Sequence, residues 1–289
     1  MSQPVDKSAD QASSQKQADE IRQNVRESYA QVAEASNESD CCGTASSCCG
    51  VSDDAAINTL VSTRLGYSED DLDKVPAGAD MGLGCGNPRA IAGIRPGETI
   101  LDLGSGGGFD CFLAAAETGE TGQVIGIDMT PTMISKARNN AEKGRYNHVE
   151  FRLGEIEHMP VANDTIDVII SNCVINLSPD KKQVFSEAFR VLKAGGRLAI
   201  SDVVASTELP DEIRNDLALY SGCMAGASQI SELEIILQDC GFDKVNIAPK
   251  DESKEFIKDW APGRGVEEYV LSATIEAVKP GGCCGGSCC

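Results

Sequence analysis

From residue 98 onward, short β-branched apolar runs alternate with longer segments whose apolar positions recur at helical spacing. The runs at 99–104 (TILDLG), 124–128 (VIGID), 149–153 (VEFRL), 167–172 (DVIISN) and 197–202 (RLAISD) are apolar without alternation, as strands covered on both faces are. Between them, residues 109–117, 131–142 and 181–192 predict helices, the second with Pro131 just inside its start after a capping Thr130. A further helix is predicted over 231–240, stopped by Gly241, and the runs at 245–249 and 267–278 complete the sheet. Strand and helix in alternation predict an α/β fold with a parallel, doubly wound sheet. The first twenty or so residues, rich in Ser, Gln, Lys and Asp, predict disorder. At the other end GGCCGGSCC is too rich in glycine to fold alone and reads as a flexible arm. The chain divides accordingly into a flexible segment and first helix (1–40), a Cys-rich extension (41–97), the α/β core (98–205), a closing region (206–279) and a Cys-rich tail (280–289).

Charge narrows the function classes. The 289 residues carry 25 Lys and Arg against 45 Asp and Glu, a net −20. Phosphate neutralisation needs a basic face, so a nucleic-acid binder is not expected. A salt-adapted proteome is one origin of such an acidic surface. No apolar run reaches the roughly 18 residues of a membrane span, and the polar start at 1–17 lacks the apolar stretch of a secretion signal. A cytoplasmic monomer with reduced thiols is expected.

Thirteen cysteines then need an explanation. Eight form adjacent pairs, Cys41-Cys42, Cys48-Cys49, Cys283-Cys284 and Cys288-Cys289, while Cys85, Cys111, Cys173, Cys223 and Cys240 stand alone. Adjacent Cα atoms lie about 3.8 Å apart, short of disulfide geometry, so soft-metal or metalloid capture suits the pairs better. The Cys-x-x-Cys spacing of structural zinc is absent, and His148 and His158 have no partner motif. Cys111 and Cys240 fall on predicted helices and read as small buried residues. Cys173 follows the fourth strand, at the carboxyl edge where open α/β sheets bind ligands; Cys223 lies in a segment leaving the same edge, and Cys85 in a loop before the first strand.

Where the first strand turns into the first core helix stands Asp102-Leu103-Gly104-Ser105-Gly106-Gly107-Gly108. Glycines there admit a ligand to the backbone and to the amide donors of the helix start. The dinucleotide pattern Gly-x-Gly-x-x-Gly would need glycine at 109, which is Phe. Asp128, ending the second strand, is spaced to bind a ribose, or else to cap the following helix.

Together these residues resemble the class I S-adenosylmethionine-dependent methyltransferases, over about 98–202. The resemblance implies a Rossmann-like sheet and a cofactor site made by Asp102, Gly104, Ser105, Gly106 and Gly108 at the methionine part. It puts Asp128 at the ribose and the segment 154–157, with Glu155 and Ile156, at the adenine edge, and counts Met129 and Asn172 among the cofactor contacts; a dehydrogenase is the alternative on the same fold. With Gly84-Cys85-Gly86-Asn87-Pro88, the run from Ser171 through Leu177 and Cys223 added, the chain more closely resembles the arsenite methyltransferases, over about 29–241. That resemblance implies methyl transfer to arsenite and methylarsenite, with Cys173 and Cys223 holding trivalent arsenic throughout. It also implies that Cys85 and an N-terminal thiol join in loading and disulfide formation, with glutathione or thioredoxin renewing the thiols; Cys41, Cys42, Cys48 and Cys49 all qualify as that thiol, and distance from Tyr29 favours Cys41 or Cys42. A methyltransferase for an organic acceptor and a non-catalytic thiol scavenger are the competing functions.

Overall fold

A computed structural model describes residues 7–35 and 53–281. Its helices are α1 (Lys7–Ala35), α2 (Asp53–Arg64), α3 (Glu69–Asp73), α4 (Arg89–Ala92), α5 (Phe109–Thr118), α6 (Pro131–Gly144), α7 (Lys181–Val191), α8 (Asp211–Arg214), α9 (Leu217–Ser221), α10 (Ile230–Asp239) and α11 (Lys254–Trp260). The strands are β1 (Thr99–Leu103), β2 (Gln123–Asp128), β3 (Val149–Leu153), β4 (Ile166–Asn172), β5 (Leu192–Ala205), β6 (Asp243–Lys250) and β7 (Val270–Val278). They form one sheet in the order β3-β2-β1-β4-β5-β7-β6. β1 to β5 run parallel, and β7 lies antiparallel between β5 and β6.

Side chains alternating along the strands build the two faces, the reason the runs are apolar throughout. Ile100, Val124, Val168 and Ile170 pack with Phe112 and Ala115 of α5 and with Ile134 and Ala137 of α6. Their neighbours Leu101, Leu103, Ile125 and Ile169 pack on the other face with Phe185 of α7 and with Leu233 and Leu237 of α10. The strand order reverses between β1 and β4, which opens a crevice at their carboxyl ends. A third cluster sits over that edge, joining Val25 of α1, Cys85, Cys173, Leu219, Cys223, Met224 and Ile257.

Two expectations are corrected. The polar N-terminal stretch is not disordered from residue 7 on: α1 begins at Lys7. Its Gln, Lys, Ala and Glu are strong helix formers, and packing of Val25, Ile21 and Tyr29 onto the edge cluster supplies what composition alone cannot. The helix at 181–192 ends one residue early, because Leu192 already pairs with Ile166 and β5 runs unbroken to Ala205.

Candidate active site

The glycine loop leaves β1 with Gly104, Gly106 and Gly108 at φ of 72°, 50° and 93°, the left-handed region open to glycine at little cost. A Cβ on Gly104 would overlap the Val174 side chain. The backbone amides of Gly104 and Ser105 both donate to the Ile127 carbonyl, at 2.7 and 2.9 Å, so the loop is tied to β2. Asp128 lines the cleft and ties the glycine loop to the start of α6. One carboxylate oxygen accepts from the Thr130 amide at 2.8 Å, the other from the Gly106 amide at 3.0 Å. Each oxygen has the capacity for a further acceptor bond. Burial raises its pKa. Asp102 lies buried at the cleft floor, accepts a hydrogen bond from the Cys111 thiol at 3.2 Å, and is pushed well up by burial and by Asp110.

The cleft holds about 1050 Å³ including its mouth, walled by the loop, Asp110, Asp128, Met129, Ile156, Glu157 and Asn172. Ser105 Oγ is buried in this wall without a partner, a polar atom a ligand would satisfy. Glu155 turns elsewhere: its carboxylate pairs with Arg26 at 3.2 Å and with Arg22 at 3.9 Å. Arg22 also reaches the buried Glu157 at 3.2 Å, so α1 is clasped over the cleft. Asn172 lines the cleft while its amide pins the Cys85 loop. Its oxygen accepts from the Cys85 amide at 3.0 Å, and its nitrogen donates to the Gly86 carbonyl at 2.8 Å and the Tyr67 hydroxyl at 3.1 Å.

That pin brings Cys85 from before β1 to the end of β4. Its sulfur, the Cys173 sulfur and a carboxylate oxygen of Asp202 lie within 4.8 Å of one another, the one such group among the described residues. Cys223 completes the set, its thiol donating to the Cys173 carbonyl. All three are buried and unoxidised. Burial raises the Cys85 thiol, and the neighbouring Cys223 and Cys85 thiols, then burial, hold Cys173 well above an ordinary thiol. Cys173 and Cys223 adopt φ of 59° and 64°, a conformation uncommon outside glycine. Such strain persists where surrounding structure fixes it. Here Asp202 accepts from the Ile175 amide at 2.8 Å and from the Asn176 side chain at 2.9 Å, and Asn176 also donates to the Val203 and Cys223 carbonyls at 2.6 and 3.3 Å. The network joins both thiol-bearing turns to β5. A second cavity lies on the far side of Cys173, walled by Tyr29, Leu83, Leu219, Cys223, Met224 and Trp260.

Cys41 and Cys42 lie outside the described residues. Cys111 is buried in the core, Cys240 packs half-buried beside it, and His158 is exposed. Sequence reasoning missed Arg22, Tyr29, Asp110, Asn176 and Asp202. Asp202 ends the predicted fifth strand at the same carboxyl edge, a signal that was legible. For Arg22 and Tyr29, on a helix far away in sequence, there was none.

Residues 94–241 match the family model described as "Methyltransferase domain". An arsenite methyltransferase of Halobacterium salinarum is 54% identical over 269 residues, covering 91% of this chain and 67% of that protein. The chain belongs to the arsenite methyltransferase family. A human arsenite methyltransferase is 46% identical over 152 residues, 50% of this chain and 40% of that protein. A solved arsenic(III) S-adenosylmethionine methyltransferase from Chlamydomonas reinhardtii aligns over 76% of this family member and 73% of its own chain, with TM-score 0.56 and 32% identity. The matched regions thus span about two thirds of the Halobacterium relative's length and less than half of the human one's. A geranyl diphosphate C-methyltransferase shares the fold at TM-score 0.55 and 16% identity, so the sheet alone does not select the acceptor.

Proposed function

We propose that this chain transfers methyl groups from S-adenosylmethionine to trivalent arsenic held by the thiolates of Cys173, Cys223 and Cys85. The observation carrying the reading is the convergence of three free thiols, distant in sequence, at the sheet edge beside the glycine-loop cleft. The donor supplies an electrophilic methyl group on a sulfonium. Asp102 and the partnerless Ser105 Oγ suit its amino-acid end, and Asp128 its ribose hydroxyls. Ile156 and Met129 offer apolar walls for the base, with Glu155 behind them in the clasp to α1.

Arsenite exchanges each hydroxyl for a thiol with loss of water, and the soft, pyramidal product keeps a lone pair. That pair forms the new As–C bond as the sulfonium C–S bond breaks. No proton leaves arsenic, so no general base is required. Positioning supplies most of the acceleration, and the strained turns at Cys173 and Cys223 fix the sulfurs for it. Methylation leaves arsenic pentavalent. A further protein thiol attacks one arsenic-bound sulfur, and a disulfide forms as that S–As bond breaks. The bond's electron pair returns arsenic to the trivalent state on its methyl and the two remaining sulfurs, and the thiol proton goes to solvent. An external thiol reductant, glutathione or thioredoxin, reopens the disulfide. Cys85 and a thiol at 41–42 fit this relay, in a monomer of the cytoplasm.

Labelled S-adenosylmethionine, arsenite and a thiol reductant incubated with the full chain should give labelled methylarsenicals. Cys173→Ser and Cys223→Ser should each cut that rate by on the order of 100-fold or more. Full activity in either variant, or label passing to an organic acceptor without arsenic, would sink the assignment; arsenic binding without S-adenosylhomocysteine release would reduce the protein to a scavenger.

A further inference from the structure

Tyr29 is half-buried and stands where the two cavities meet. Among their linings it is shared, with Leu83, Gly84 and Cys173, by the cofactor cleft and by the chamber beside Cys223. Its hydroxyl donates to the Ser221 carbonyl at 3.3 Å, two residues before Cys223. Burial, then the neighbouring Cys223, Cys173 and Asp128, hold the phenol well above its ordinary pKa, so it keeps its proton and remains a donor.

The Cys223 thiol donates to the Cys173 carbonyl. When arsenic binds, the S–H and an As–OH bond break, an S–As bond forms and water leaves, with no change of oxidation state. The sulfur then has nothing to donate and only lone pairs to offer, and Val25, Leu219 and Met224 of the same cluster supply no donor to them. We infer that the Tyr29 hydroxyl is the donor that holds the arsenic-bound sulfur of Cys223, making Tyr29 a positioning residue for the methyl acceptor. The inference rests on the arsenic-methylation reading above. The hydroxyl needs only to rotate from the Ser221 carbonyl to the sulfur beside it. A helix outside the matched methyltransferase region thereby takes part in binding the acceptor.

The chain's single tryptophan, Trp260, lines the same chamber, so its fluorescence is the probe for an arsenite titration. Tyr29→Phe removes one oxygen and keeps the ring. Arsenite affinity should weaken by about twofold to tenfold, the loss expected for a hydrogen bond between neutral groups. S-adenosylmethionine affinity should change much less than arsenite affinity, and the melting temperature should fall only slightly, by the one bond to the Ser221 carbonyl. In a Cys223→Ser background the Tyr29→Phe change should add little further loss, because the two groups act on each other. Unchanged arsenite affinity in Tyr29→Phe overturns the inference. So does an equal loss of cofactor affinity, which would mark Tyr29 as general packing. A parent protein that neither binds nor methylates arsenite removes the functional reading itself, and this inference with it.

Discussion

At the scale of the residue, buried acids near the cleft make the protein sensitive to pH. Asp110 accepts from the Tyr67 hydroxyl at 2.7 Å and from Asn172 at 3.4 Å, yet burial outweighs these bonds and lifts its pKa from 3.8 to about 6. The folded state therefore holds this proton more tightly than the unfolded chain. Its contribution is fully present below about pH 4 and is lost as pH rises toward 6, up to about 3 kcal/mol in all. Asp110→Asn should flatten that slope, so melting curves at pH 4 and pH 7 should differ less for the variant than for the parent. Legibility at this scale was uneven. Cys85, Cys173 and Cys223 were readable because thiols at a sheet edge are chemically distinctive. Their left-handed backbone was not, since a cysteine carries no mark of φ as glycine does.

Elements were the most readable level where they were local. The continuous apolar runs of β1, β2 and β4 can satisfy no arrangement but a sheet covered on both faces, and Gly104 to Gly108 mark their own turn. The run that became β7 looks no different from its parallel neighbours, because strand direction depends on the connection and not on composition. A first helix was expected within 1–40, but the docking of α1 was hidden for a similar reason: its partners Glu155, Glu157 and Ser221 lie more than a hundred residues away. The clasp gives that helix a measurable stability. The Arg22 side chain is 16% exposed and that of Glu157 5%, so their bond is shielded and worth about 1.5 to 3 kcal/mol. Arg22→Ala should speed amide hydrogen exchange in α1 by about tenfold or more while β1 and β4 keep their protection. Equal exchange in α1 would show that apolar contacts alone hold it.

The whole molecule carries its acidity without relief from its internal ion pairs, which cancel charge only locally. At a net −20, repulsion opposes the compact state, and added salt shortens its range from about 10 Å at 0.1 M to about 3 Å at 1 M. Raising potassium chloride over that interval should lift the melting temperature by several degrees; a fall would mean that screened ion pairs matter more than net charge. The thiol cluster has a different consequence, one of valence. Trivalent arsenic makes three bonds, and every methyl group it gains replaces one to sulfur. On the proposed function, three convergent cysteines would grip arsenite fully, methylarsenite by two anchors and dimethylarsenite by one. The protein's hold would then loosen with each turnover, and the ligand's own chemistry would set when it departs.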